Sequence, residues 1–268
     1  MVQNSEYIGE DGLTHCSVCH KATQKRVIYP FINAERIVGC RCDCEKKEIQ
    51  SVEDRFRREE YDKARKICFA GVYDKCKGQV NMANWTFAND NRRNAQVSDV
   101  MKKYAEQFSD FRKDGKGLLL WGDIGTGKSY MAACIANALI DAGYQVLMTN
   151  FSRIINQLQE DFKGRQEYID GLSKYTLLIF DDLGIERQSA YMQEMLFNII
   201  DSRWRSGLPF IVTTNLSLDQ IKQPDDLEYA RIYDRILERC FPIKIAGVSQ
   251  RRLNVRNGYM DMKVKLGL

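Results

Sequence analysis

The chain has 268 residues, 44% hydrophobic and 28% charged, with only four prolines. That is the composition of a globular protein with room for one large domain, or for one standard domain and a small module. Its 40 basic and 36 acidic residues leave a net charge of +4, too mild to demand nucleic acid although it permits a local basic face. No apolar run approaches the ~20 residues that span a bilayer, and Met1-Val2-Gln3-Asn4-Ser5-Glu6 has no charged-then-apolar secretory pattern. A cytoplasmic protein with no membrane partner is expected, and its nine cysteines are not expected in disulfides.

In chain order, residues 10–50 read as a small, loop-rich unit built on cysteines. Cys16-Ser17-Val18-Cys19 is a C-x-x-C knuckle, and Cys40-Arg41-Cys42-Asp43-Cys44 begins twenty-one residues after Cys19. Two pairs at this separation suit a tetrahedral Zn²⁺ site, and a hydrophobe-poor segment needs such a staple to fold. One cysteine is in excess. Cys16, Cys19, Cys42 and Cys44 are the favoured ligands, Cys40 is the first substitute, and His15 and His20 lie beside the first knuckle. A redox pair or an iron–sulfur cluster is the alternative use. Cys68, Cys76, Cys134 and Cys240 are isolated and read as buried structural residues.

From about Glu45 to Cys68 both charge signs alternate around sparse apolar residues (Ile49, Val52, Phe56, Ala64, Ile67), which predicts an exposed helix with a thin apolar stripe. Residues 69–97 read as a linker ending in an extended piece, Trp85-Thr86-Phe87. Helices and strands then alternate. Helices are predicted near 97–111, 127–141, 152–163, 165–172, 189–205 and 228–239, with another from about 249. Strands are predicted near 117–121, 144–149, 176–181, 210–214 and 241–246. This alternation predicts an α/β fold with a mostly parallel sheet covered on both faces. The expected division is a zinc module over 1–50, a charged helix and linker over 51–84, and a nucleotide-binding domain over 85–268.

The strand near 117–121 opens into Gly122-Asp123-Ile124-Gly125-Thr126-Gly127-Lys128-Ser129, and a helical stretch starts at Tyr130. Strand, G-x-x-x-x-G-K-S loop and helix together make a P-loop. Its glycines bring backbone N–H groups to phosphate oxygens at a helix N-terminus. Lys128 can reach the β- and γ-phosphates of ATP, and the Ser129 hydroxyl can ligate Mg²⁺. A second apolar strand, Leu177-Leu178-Ile179-Phe180, ends in Asp181-Asp182. Asp181 is expected in the Mg²⁺ shell, and Asp182 is expected to orient or deprotonate the attacking water. Asn215, after Pro209-Phe210-Ile211-Val212-Thr213-Thr214, is placed to touch the γ-phosphate or the water, or to cap the next helix.

Over roughly residues 85–257 these motifs resemble the helicase-loader branch of the AAA+ ATPases, the DnaC/DnaI-type proteins, and the similar IstB transposition ATPases. The resemblance rests on Gly122 to Ser129, on Leu178-Ile179-Phe180-Asp181-Asp182-Leu183-Gly184 and on Val212-Thr213-Thr214-Asn215-Leu216, with Trp85-Thr86-Phe87 resembling the segment before the nucleotide site. It implies a P-loop AAA+ core that binds ATP and Mg²⁺ and has no C-terminal lid domain, the chain ending soon after Arg251. It also implies two arginines. Arg235, with Arg231 as the nearby alternative, matches the arginine finger that reaches a neighbouring subunit's γ-phosphate, so a homo-oligomer is expected; Arg251 matches the second sensor arginine. Many AAA+ ATPases carry Glu where this chain has Asp182, and the shorter acid implies slow turnover.

The function expected from the resemblance is ATP-dependent loading of a replicative helicase, with single-stranded DNA as a further partner. Lys163, Arg165 and Tyr168 are candidates for the DNA contact, since they combine basic groups with an aromatic ring. The alternatives are an IstB-like transposition-helper ATPase and a nucleotide-dependent binding module with negligible hydrolysis.

Overall fold

In a computed structural model, residues 5–30, 34–73, 82–160, 164–184 and 190–267 are described. The chain divides into two compact units, Met1–Glu60 and Tyr61–Leu268.

The first unit holds two antiparallel hairpins where the sequence suggested loops. Strand β1 (Glu6–Ile8) pairs with β2 (Thr14–Cys16), and β3 (Gln24–Tyr29) pairs with β4 (Ala34–Gly39). The charged segment is one helix, α1 (Asp43–Tyr73), which starts in this unit and ends in the second. It runs past Cys68 into the stretch expected as linker. The reason is packing: Cys68 is fully buried, and Tyr61, Ala64 and Phe69 lie against the core of the second unit. Tertiary burial there holds helix where local composition reads as linker.

In the second unit Met82–Asn84 is a short 3₁₀ turn, and Trp85-Thr86-Phe87 enters a turn rather than an extended piece. The helix expected over 97–111 is two, α2 (Ala95–Glu106) and α3 (Phe108–Lys113), which break at Gln107. Then follow β5 (Gly117–Trp121), α4 (Lys128–Asp141), β6 (Val146–Thr149), α5 (Phe151–Glu160), α6 (Arg165–Gly171), β7 (Leu177–Leu183), α7 (Ala190–Arg205) and β8 (Phe210–Thr214). The chain continues through α8 (Leu218–Lys222), α9 (Leu227–Arg239), β9 (Cys240–Lys244) and α10 (Gln250–Leu266).

The five strands β5 to β9 form a parallel sheet in the order β6-β7-β8-β5-β9. Alternate residues feed opposite faces. Leu118, Leu120, Leu177, Ile179 and Ile211 join a core with α2 and α4, whereas Leu119, Leu178, Phe180, Phe210 and Val212 join one with α5, α7 and α9. A strand buried on both faces reads as a continuous apolar run, and these strands do. The AAA+ core expected from the motifs is therefore an α/β parallel sheet with helices on both faces, and its central strands β5, β7 and β8 all end on one edge. That edge is where ligands bind in open α/β sheets. Among the described residues no helix is long and apolar enough to cross a membrane.

Candidate nucleotide site and metal centre

Three glycines shape the loop between β5 and α4. Gly122, Gly125 and Gly127 have φ of +141°, +81° and +103°, backbone that glycine alone adopts at little cost. A Cβ at Gly122 would lie 2.5 Å from the Ile245 carbonyl oxygen, and one at Gly125 would collide with Ser249 Oγ. Gly127 is the N-cap of α4 and offers no side-chain acceptor to the first turn of that helix, the helix end whose dipole suits an anion.

Lys128 opens α4 with 5% of its surface exposed. Its Nζ donates to the carbonyls of Gly122 (2.9 Å) and Asp123 (2.7 Å) and to Asn215 Oδ1 (2.7 Å). Asn215 thus faces the loop lysine rather than capping a helix, because α8 is capped by Ser217 in a reciprocal pair with Gln220. Thr126 closes the loop by donating to the Asp123 carbonyl at 2.9 Å.

The two acids of β7 differ. Asp181 is buried, accepts from Thr213 Oγ1 at 2.6 Å and is hydrogen-bonded to Ser129. Burial pushes its carboxyl above the ordinary carboxylate range, assisted by the charge of Asp182 and opposed by the Thr213 and Ser129 hydrogen bonds and by Lys128. Asp182 is partly exposed, has φ of +59° and sits at an irregularity in the β7–β8 pairing. It lines a cavity of about 880 Å³ together with Lys128, Ser129 and Asn215. A hydroxyl beside a buried carboxylate is the hard-oxygen donor set that suits Mg²⁺, and the loop above it suits a polyphosphate.

The far wall of this cavity carries residues that motif reading did not find, among them Asp90, Asn94 and Ile245 to Val248. Trp85, flagged only by resemblance, lines it too and packs on Tyr130 with ring centroids 5.5 Å apart. Asn137 of α4 donates to the Met82 and Trp85 carbonyls, both at 2.9 Å. Asn94 caps α2 and donates to the Ala246 carbonyl at 3.3 Å. These contacts run from side-chain amides to distant backbone carbonyls, which no spacing rule marks.

Arg235, on α9, does not line this cavity. Its Nε donates to Asp201 at 2.6 Å, and its guanidinium lies over Phe197 (4.6 Å to the centroid) and Trp204 (5.5 Å). Arg231 pairs with Glu228 at 3.3 Å. The Arg251 side chain and Lys163 lie outside the described residues. Arg165 donates to the Leu158 carbonyl at 2.9 Å and lies over Tyr191, while Tyr168 lines a separate cavity of about 510 Å³ with Arg153 and Lys174.

In the first unit the sulfurs of Cys16, Cys19, Cys42 and Cys44 lie within 4.8 Å of one another. Cys40 is not in this cluster; its thiol points to the Ala22 carbonyl at 3.4 Å. His15 is paired with Asp11 at 3.0 Å, and His20 meets Tyr7. The knuckle is preorganised: Cys16 N–H donates to the Lys21 carbonyl, and His20 turns the chain with φ of +56°. The Lys21 backbone N–H points at the Cys19 sulfur and lowers that thiol to about 6, and hydrogen bonding to Cys19 pushes Cys44 up to about 12. Four convergent sulfurs are a donor set for tetrahedral Zn²⁺. Cys68, Cys134 and Cys240 are buried free thiols, and Cys76 lies outside the described residues.

The replicative helicase loader DnaI of Bacillus subtilis (strain 168) is 27% identical over 167 residues, 58% of this chain and 52% of the relative. The replicative helicase loader DnaC of Escherichia coli (strain K12) is 28% identical over 168 residues, 60% of this chain and 59% of the relative. The chain thus matches between half and three-fifths of the length of these relatives. A crystal structure of the DnaC helicase loader shares the fold, with a TM-score of 0.51 and 22% identity over 62% of this chain and 98% of that one. The model of the family described as IstB-like ATP binding protein matches residues 63–258, well over half of the chain, and the chain belongs to that family.

Proposed function

We propose that this protein is a Mg²⁺-dependent ATPase that loads a replicative DNA helicase. The observation that carries the reading is the convergence of Lys128, Ser129, Asp182 and Asn215 on one cavity with Asp181 behind Ser129. The similarity to DnaI and DnaC supports the loading task. Lys128 would exchange its carbonyl partners for phosphate oxygens, and the N–H groups after Gly127 would hold the β-phosphate. Ser129 and Asp181 would hold Mg²⁺, which supplies charge neutralisation at the transferring phosphoryl group. Asp182 would orient water, and Asn215 would report the γ-phosphate to Lys128.

Arg235 lies outside its own subunit's cavity, which suits a finger acting in trans within a homo-oligomer. Its Asp201 contact would be exchanged for phosphate at the subunit junction. The four-cysteine module, holding Zn²⁺, would grip the helicase. Single-stranded DNA would bind the ATPase core, and the protein would act in the cytoplasm. The IstB-like family match keeps a transposition-helper ATPase as the second reading.

Phosphate release measured with and without single-stranded DNA, alongside capture of replicative helicase by full-length protein and by residues 61–268, the whole of the second unit, tests the proposal. The loader reading predicts ATP turnover, and helicase capture by the longer chain alone. Turnover stimulated only by duplex DNA, with no helicase captured, favours the transposition helper. No turnover and no nucleotide-dependent capture refutes both. Arg235→Ala should abolish the dependence of turnover on protein concentration while leaving nucleotide affinity within about threefold.

A further inference from the structure

Asp182 is one of three non-glycine residues with left-handed backbone among those described. Such a conformation persists only where the surroundings over-determine it. Here the surroundings are two adjacent, fully buried threonines of β8. Thr213 donates its hydroxyl proton to Asp181 Oδ1 at 2.6 Å and accepts from the Asp182 N–H at 2.9 Å. Thr214 donates to the Leu183 carbonyl at 2.7 Å and accepts from the Leu216 N–H at 3.1 Å.

The strand register explains why side chains do this. Phe180 pairs with Val212 and Leu183 with Thr214, so Thr213 alone stands opposite both Asp181 and Asp182. That is a bulge, a device that re-aims side chains beside active sites. A hydroxyl has one proton and two lone pairs. With its proton committed to the Asp181 carboxylate, Thr213 Oγ1 can only accept from Asp182. One atom therefore sets both acids.

Resting on the ATPase reading above, we infer that Thr213 is a positioning residue for hydrolysis. It holds the Asp181 carboxylate beside Ser129 and, through the backbone of Asp182, turns the second acid into the nucleotide cavity. A buried threonine could satisfy its hydroxyl on any nearby carbonyl; this one spends both functions on the two acids.

The test compares Thr213→Val, nearly isosteric but without the hydroxyl, with Thr213→Ser, which keeps it. Two readouts are used: ATP turnover at saturating Mg²⁺, and equilibrium binding of the fluorescent analogue N-methylanthraniloyl-ATP as Mg²⁺ is titrated. For Thr213→Val, kcat should fall about tenfold or more with KM within about threefold. The Mg²⁺ concentration for half-maximal analogue binding should rise several-fold. Thr213→Ser should stay within about threefold of the parent on every measure. An unchanged kcat and Mg²⁺ titration in Thr213→Val overturns the inference. So does equal impairment of Val and Ser, which would mark a packing effect. A parent protein that neither binds the analogue nor turns over ATP refutes the ATPase reading itself, before any variant is compared. Circular dichroism checks the fold, and Thr213→Ala removes the same hydroxyl should the valine variant not fold.

Discussion

Replacing Asp181 by asparagine should make the nucleotide-free protein more stable while destroying its chemistry. Asp181 is 3% exposed, and burial raises its carboxyl above the ordinary carboxylate value despite the Thr213 and Ser129 hydrogen bonds. A raised value in the folded state means that, as pH climbs past the unfolded value near 4, the folded chain holds a proton the unfolded chain has released. Stability then falls with pH until the folded carboxyl ionises, and it stays lower above that point. The amide of Asp181→Asn would keep an oxygen to accept from Thr213 Oγ1, now at 2.6 Å from Asp181, and would carry no buried charge. Relief of a strained functional site is worth about 1 kcal/mol, or roughly 2–4 °C for a domain of this size. Scanning calorimetry across a pH series, without nucleotide, should show that gain at pH 7–8 and its disappearance toward pH 4. Hydrolysis should fall about 100-fold or more. A variant no more stable than the parent at neutral pH, or a gain that grows on acidification, would refute the reasoning.

Two further outcomes follow from the same contacts. Stripping metal with a strong chelator should melt the hairpins of the first unit, seen as collapse of their amide dispersion, and leave the second unit's transition in place; metal analysis should find about one zinc per chain. Arg203→Ala should cost about 3 kcal/mol or more in urea unfolding, because the buried guanidinium donates to the carbonyls of Tyr175 (2.9 Å), Thr176 (3.0 Å) and Pro209 (2.7 Å), all left unpaired by the change.

Much of the sheet was legible because buried parallel strands are written as apolar runs, and Leu118 to Leu120, Leu177 to Phe180 and Phe210 to Val212 are such runs. The loop was legible because only glycine takes the backbone found at Gly122, Gly125 and Gly127. Local pattern does not encode burial from afar. The helix through Cys68 to Tyr73 is held by a core that its own composition does not announce. The cavity wall from Trp85 to Asn94 is set by Asn137 and Ala246, residues far along the chain. Choosing among Cys40, Cys42 and Cys44 needed the path of the second knuckle, since spacing alone serves more than one pair. Thr213 reads as an ordinary strand residue until the bulge places it opposite two acids.

The most direct measurement is calorimetric titration of ATP, with Mg²⁺, into the parent protein and Lys128→Ala. One nucleotide per chain should bind the parent. Loss of the buried ammonium, now held by Gly122, Asp123 and Asn215, should weaken binding about 30-fold or more, equivalent to roughly 2 kcal/mol. Parental affinity in Lys128→Ala would contradict the account.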